Sequence, residues 1–277
     1  MKVIRTIADM RQARRELAGT LGFVPTMGYL HEGHISLVKC AREENGAVAV
    51  SIFVNPTQFG PKEDFKTYPR NTERDLSMLS PHTDVVFMPF PEEMYPANYD
   101  TWVDVGSITA TLEGASRPGH FRGVATVVAK LFNIVQPDKA YFGQKDAQQL
   151  LVIKKMVREL DMPLKVIACP TVREPDGLAM SSRNTYLTRD QREGAPVLYQ
   201  SLVKARQMWD TGERSADTLK KAMTKLISAE PLADIDYISV ADTDTLQEIE
   251  GNAAGGVLVS MAVRFGKTRL IDNIILQ

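Results

Sequence analysis

The sequence predicts an α/β protein: a Rossmann-like parallel sheet with helices on both faces, followed by a smaller C-terminal α+β domain. Three observations carry this. Short apolar runs alternate with helical patterns as far as Pro170, the signature of strand–helix–strand units. One run, "AVAVSIFVN" (Ala47–Asn55), is apolar almost without a break, as a strand buried on both faces requires. Beyond "REPDGLAMSSRN" (Arg173–Asn184) the texture changes to two helical patterns and then three strand-like runs.

In chain order, "LGFVPT" (Leu21–Thr26) reads as a strand. "EGHISLVKCAREEN" follows as a helix with Ile35, Leu37, Val38 and Ala41 on its apolar stripe. With Ala47–Asn55 these make one unit of the usual ~30 residues. Asn71–Ser80 reads as a helix and Asp84–Pro89 as a strand; Arg122–Gln136 is a longer helix and Lys139–Gly143 a short strand. Asp146–Leu160 is a helix with Asp146 at its N-cap, and Leu164–Pro170 a further strand. In the second domain, Arg189–Thr211 and Ser215–Glu230 read as helices. "DIDYISVAD", "GVLVSMAVRFG" and "TRLIDNIIL" read as strands. The boundary is placed near Pro175, giving domains 1–174 and 175–277.

Composition narrows the class. The 277 residues suffice for a large core. A formal net charge of −1 provides no field to gather nucleic acid or anionic lipid. Cys40 and Cys169 lie in apolar runs and read as buried, reduced thiols. The start, "MKVIRTIADMRQARREL", breaks its apolar residues with charges, unlike a signal peptide. No run approaches the ~18 apolar residues of a membrane span. The expected compartment is the cytoplasm.

The chain has four histidines, and two of them, His31 and His34, fall three residues apart where a strand gives way to a helix. In parallel sheets ligands gather at strand carboxyl ends, and a helix N-terminus offers free N–H groups and a positive dipole end to anions. Gly28 and Gly33 allow a phosphate to approach the backbone. Two imidazoles there can donate to phosphate oxygens, which points to a nucleotide triphosphate. The plainer alternative makes one histidine a cap and the other a surface residue. Zinc is a weaker reading, since no third histidine or cysteine is spaced to complete a site. A Walker A loop is absent.

The stretch "PTMGYLHEGH" resembles the signature of the nucleotidylyl transferase superfamily and of class I aminoacyl-tRNA synthetases. "SIFVNPTQF" (Ser51–Phe59), "RPGHFRGV" (Arg117–Val124), "FGQKDAQQL" (Phe142–Leu150) and "GLAMSSRN" (Gly177–Asn184) narrow the resemblance to the pantoate–β-alanine ligases, over essentially the whole chain. The resemblance implies ATP-dependent condensation of pantoate with β-alanine to pantothenate, through a pantoyl-adenylate, releasing AMP and pyrophosphate. It implies ATP-binding roles for Met27, Gly28, His31, Gly33, His34, Gly143, Gln144, Lys145, Asp146, Val172, Met180, Ser181, Ser182 and Arg183. Of these His31, His34 and Lys145 are the catalytic set. Gln58 and Gln149 would hold pantoate, whose carboxylate an uncharged amide binds without a tight ion pair. "RPGHFRG", with His120 and Arg122, is read as structural or as a wall of the substrate pocket.

Magnesium is expected on the ATP phosphates; Asp75 is the one protein ligand suggested for it. The resemblance further implies a homodimer; the second domain is read as a lid, and the charge and the apolar runs lead to no expected nucleic-acid or membrane partner. Simpler readings remain for single motifs: a solvated helix start for Lys145–Asp146, a polar linker for Met180–Arg183. The rival functions are a plain nucleotidylyl transferase, which would not need the two glutamine motifs, and a non-catalytic nucleotide sensor. A class I synthetase is disfavoured by the short chain and the lack of a basic second domain.

Overall fold

The structure, a computed structural model, describes residues 1–61 and 63–277. The chain divides into two compact units, Met1–Gln144 with Gln148–Pro170, and Lys145–Ala147 with Thr171–Gln277.

The first unit is built on a six-stranded parallel sheet. Its strands are β1 (Lys2–Ile4), β2 (Leu21–Thr26), β3 (Ala47–Ile52), β4 (Val85–Phe87), β5 (Lys139–Gly143) and β6 (Lys165–Cys169), in the order β1-β4-β3-β2-β5-β6. Its main helices are α1 (Ile7–Glu16), α2 (Glu32–Glu44), α3 (Thr72–Leu79), α6 (His120–Val135) and α7 (Ala147–Glu159), with short α4 (Pro91–Met94) and α5 (Glu113–Ser116) between.

Alternation along β2 explains the covering of both faces. Val24 joins a buried cluster with Ile35 and Val38 of α2, while the next residue back, Phe23, meets Phe132 of α6 edge-on at 6.4 Å. The five residues Ala47–Ser51 of β3 are all buried, which accounts for the unbroken apolar run. The chain winds outward from β2 in one direction and from β5 in the other. The β2–β5 boundary is therefore the switch point where such sheets bind ligands.

The second unit packs α9 (Val197–Asp210) and α10 (Ala216–Ile227) with an antiparallel meander, β7 (Ala233–Asp242), β8 (Val257–Phe265) and β9 (Thr268–Leu276). Its core includes Leu198, Leu202, Trp209, Leu219, Met223, Val259 and Met261.

Several expectations are revised. The helix expected over Arg189–Thr211 is two helices, α8 (Arg189–Gly194) and α9, separated at Ala195–Pro196. Pro196 has no N–H to continue the first ladder, so a new helix begins behind it. The strand expected to reach Asn55 stops at Ile52, because Asn55 caps a 3₁₀ turn, Pro56–Gln58, through its side chain. Gln144–Asp146 form another 3₁₀ turn ahead of α7. Cys169 is buried but Cys40 is only half-buried, on the flank of α2 beside exposed Lys39. Burial, helped by nearby Cys40, pushes the Cys169 thiol up to about 12, so it stays protonated. No helix among the described residues is long and apolar enough to cross a membrane.

Candidate active site

The histidine pair is delivered by a tight loop at the end of β2. Thr26 Oγ1 donates to Ser51 O of β3 at 2.8 Å and accepts the Gly28 N–H at 3.2 Å. Gly28 has φ +81°, and a Cβ there would lie 2.9 Å from Ile52 Cγ2, so both conformation and space demand glycine. Tyr29 follows with φ +50°. The Asp75 carboxylate, 1% exposed on α3, accepts the N–H of Tyr29 at 2.8 Å and of Leu30 at 2.7 Å.

His31 is then the N-cap of α2. Its Nδ1 accepts the Gly33 N–H at 3.2 Å, and His34 Nδ1 accepts the His31 N–H at 3.3 Å. The two rings lie 4.1 Å apart between centroids. An acceptor Nδ1 carries no hydrogen, so in each neutral ring the proton sits on Nε2. The helix start thus uses one nitrogen of each ring for capping and sets the other as a donor.

Gln58 closes the 3₁₀ turn after β3. Asn55, 1% exposed, donates to Gln58 Oε1 at 3.2 Å and to Gly123 O at 3.1 Å, and accepts the Tyr95 hydroxyl at 2.8 Å. Burial pushes the Tyr95 phenol up to about 12, which keeps it a donor. Gln58 Nε2 donates to Met27 Sδ at 3.0 Å, so Met27 and Gln58 adjoin. His120 meets the Gln58 carbonyl through Nδ1 at 2.8 Å, and Arg117 Nη1 lies 3.0 Å from its Nε2. Burial, then the neighbouring Arg117 charge, lower His120 to about 4. The ring is neutral at pH 7. Arg117 can only donate, so Nε2 accepts and Nδ1 carries the proton to Gln58. Arg117 is itself held by both oxygens of Glu63 at 2.8 and 2.6 Å.

Gln149 lies half-buried on the first turn of α7, and no hydrogen bond joins it to Gln58 among the described residues. Its neighbour Gln148 is committed to structure, accepting the Glu113 N–H and donating to Ile108 O and Thr111 O. Gly143 ends β5 and Gln144 opens the turn after it.

In the second unit, Lys145 Nζ lies 3.4 Å from Asp146 Oδ1, and the Lys145 carbonyl accepts from Asn273 Nδ2 of β9 at 2.8 Å. A hairpin bond from Met180 N to Val172 O, 3.0 Å, brings Val172 beside Met180. Ser181 caps the 3₁₀ turn Ser182–Tyr186, its Oγ accepting the Arg183 N–H at 3.2 Å. The bidentate Arg173–Asp272 pair, 2.6 and 3.0 Å, holds the base of this hairpin.

The family model described as Pantoate-beta-alanine ligase matches residues 2–275. The chain belongs to that family. It is 57% identical over 277 residues to the pantothenate synthetase of Herpetosiphon aurantiacus, covering all of both chains. A pantothenate synthetase from Thermus thermophilus shares the fold at TM-score 0.95 and 49% identity, with 99% of each chain covered. A pantoate–β-alanine ligase from Francisella tularensis, solved with beta-gamma ATP and β-alanine, matches at TM-score 0.82 and 37% identity, covering 99% of this chain and 97% of that one. This protein is an enzyme, an ATP-dependent ligase that condenses pantoate with β-alanine.

Sequence reasoning about this ligase misses three residues that support the site, Asn55, Tyr95 and Glu63, while Arg117 falls in the motif read as structural or as a pocket wall. Asn55 lies inside a quoted motif, and its place directly before Pro56, at the end of a buried strand, is the one available signal. The sequence suggests Asp75 as a magnesium ligand. In the structure each of its oxygens accepts a backbone N–H. Among the described residues no group of three or more His, Cys, Asp or Glu could hold a metal.

Proposed function

We propose that this ligase works in two steps, and that the residues assigned above from the resemblance carry them. In the first, a pantoate carboxylate oxygen attacks the ATP α-phosphorus, the bond to the bridging oxygen breaks, and pyrophosphate leaves. In the second, the neutral β-alanine amine attacks the acyl carbon, AMP leaves with the bonding pair, and the amine's proton passes to solvent. The carboxylate is already ionised at neutral pH, so adenylation needs no base. What it needs is alignment and stabilisation of developing charge.

The observation that supports this reading most is the capping arrangement of His31 and His34, which makes Nε2–H of each ring the donor. His34 is assigned to the α-phosphate and departing pyrophosphate as a hydrogen-bond donor. Met27, Gly28, His31, Gly33, Gly143 and Gln144 of the first unit bind ATP. So do Lys145, Asp146, Val172, Met180, Ser181, Ser182 and Arg183 of the second, with Lys145 neutralising phosphate charge. Magnesium would be carried by the ATP phosphates, where it would supply charge neutralisation with few protein ligands. Gln58 and Gln149 bind pantoate. A homodimer rests on the resemblance, and a cytoplasmic location on that and on the two unpaired cysteines.

The deciding experiment is isotope exchange. Labelled pyrophosphate is expected to enter ATP when pantoate and magnesium are present and β-alanine is not. Intact overall turnover without such exchange overturns the two-step route.

Gln58→Ala tests the division of the site. It removes a donor and an acceptor at about 1–3 kcal/mol per unpaired partner. Calorimetric titration is expected to show pantoate affinity lower by roughly 10- to 100-fold, with ATP affinity within about threefold of wild type. Collapse of ATP binding with pantoate binding intact would reassign Gln58 to the nucleotide.

A further inference from the structure

We propose that Asp75 is a positioning residue for adenylation, acting through the loop that presents His31 and His34. The proposal rests on the role given to His34 above. The loop from Gly28 to Leu30 turns through two left-handed residues, Gly28 at φ +81° and Tyr29 at φ +50°. Glycine enters that region freely; tyrosine does so under strain, and something must hold it there.

The first turn of α3 supplies the hold. Asp75 takes the Tyr29 N–H on Oδ2 and the Leu30 N–H on Oδ1. Arg74, next to it, donates to Leu30 O at 2.9 Å and places its guanidinium 5.7 Å from the Tyr29 ring. Backbone donors and an acceptor of two successive residues, Tyr29 and Leu30, are thus gripped from one helix turn. That turn is itself capped, the Asn71 side chain accepting the Arg74 N–H at 3.1 Å.

The next residue is His31. Its backbone must arrive extended, at φ −140°, for its N–H to reach His34 Nδ1 and its own Nδ1 to receive Gly33. A slack loop lets that exchange open, and the rings then turn away from the orientation in which Nε2–H is the donor. Two charge-assisted bonds to backbone N–H groups, shielded from solvent, are among the stronger means of fixing such a segment. Asp75 acts on the reaction only through the rings it orients.

The test is Asp75→Asn, which keeps the volume but sets an NH2 group against one of the two N–H donors. Pantoate-dependent pyrophosphate exchange at saturating ATP and magnesium is expected to fall about tenfold or more, with pantoate affinity unchanged. In a His34→Ala background the same change is expected to cost less than about twofold, because partners in one chain of effect are not additive. Equal losses in both backgrounds would make Asp75 a general structural residue and overturn the proposal. A raised magnesium requirement with wild-type exchange at saturation would make it a metal ligand and also overturn it. Wild-type exchange by His34→Ala alone sinks the underlying reading, a different result from failure of Asp75→Asn in a protein where His34 matters. Should Asp75→Asn not fold, exposed Arg74→Ala removes the other half of the grip. It must lower exchange about threefold without moving pantoate affinity, and wild-type exchange there overturns the proposal.

Discussion

Replacing His34 with alanine is expected to slow pantoate-dependent pyrophosphate exchange by about 10²–10³-fold, the usual cost of losing one preorganised donor to developing charge. The ring has two jobs, and they can be separated. Its Nδ1 accepts the His31 N–H at the start of α2, a capping bond worth about 1 kcal/mol. On the role proposed for it, its Nε2 donates to phosphate. His34→Asn keeps a side-chain oxygen near the Nδ1 position but cannot reach where Nε2 lies. Thermal denaturation is therefore expected to show His34→Asn nearer wild type than His34→Ala, while both lose exchange alike. Wild-type turnover by folded His34→Ala would remove the residue from the mechanism.

Gly123→Ala is expected to damage both stability and pantoate binding, although it lies in the interior of α6, where alanine is the better helix former by about 1 kcal/mol. An added Cβ would stand 2.3 Å from Thr57 O, 2.6 Å from Thr57 C and 2.7 Å from Gln58 N, all backbone atoms. None can swing aside as a flexible side chain would. The 3₁₀ turn Pro56–Gln58 must shift bodily away from α6, straining the Asn55 bond to Gly123 O and the His120 bond to Gln58 O. Overpacking of this kind costs about 1–3 kcal/mol net. Displacing a positioning group by ~1 Å can cost 10²-fold in rate. Denaturation and a pantoate titration on the same variant check both halves. A variant more stable than wild type, as helix propensity alone demands, would show that the turn yields without strain.

What the sequence revealed follows from locality. The β2–α2–β3 unit was legible because its pattern lies within one short stretch: a buried strand, a histidine cap, an apolar stripe and another buried strand. The start of α2 at the histidine pair could be read for the same reason. The N-terminal β1 and α1 carry no such local signal. β1 has three residues, two of them exposed, and joins the sheet only by pairing with β4, more than eighty positions away. The split at Pro196 was in plain view, but the apolar stripe runs through it. The supports of the site were invisible for a deeper reason. Asp75 could be singled out only as a possible magnesium ligand, Arg117 only as part of a structural motif, and Glu63 not at all, because their partners lie far away in the chain. Their partners are Tyr29 and Leu30 for Asp75, and for Glu63 an arginine 54 residues on. No periodicity encodes such pairs.

Asn273 grips the carbonyl of Lys145 from 128 positions downstream. On a ribosome adding ~5–20 residues per second, the lysine is made roughly 6–26 s before the amide that fixes it. The parallel sheet can form in that interval, since its last strand ends at Cys169. Until β9 is made, the nascent chain holds all six strands of the first sheet and a lysine without its anchor. On the role proposed for Lys145, such a chain is a poor catalyst until β9 has been translated and has paired with β8. If Lys145 has that role, competence to activate pantoate arrives late in synthesis, and a fragment truncated before β9 keeps the histidine pair but lacks the bond from Asn273 to the lysine carbonyl.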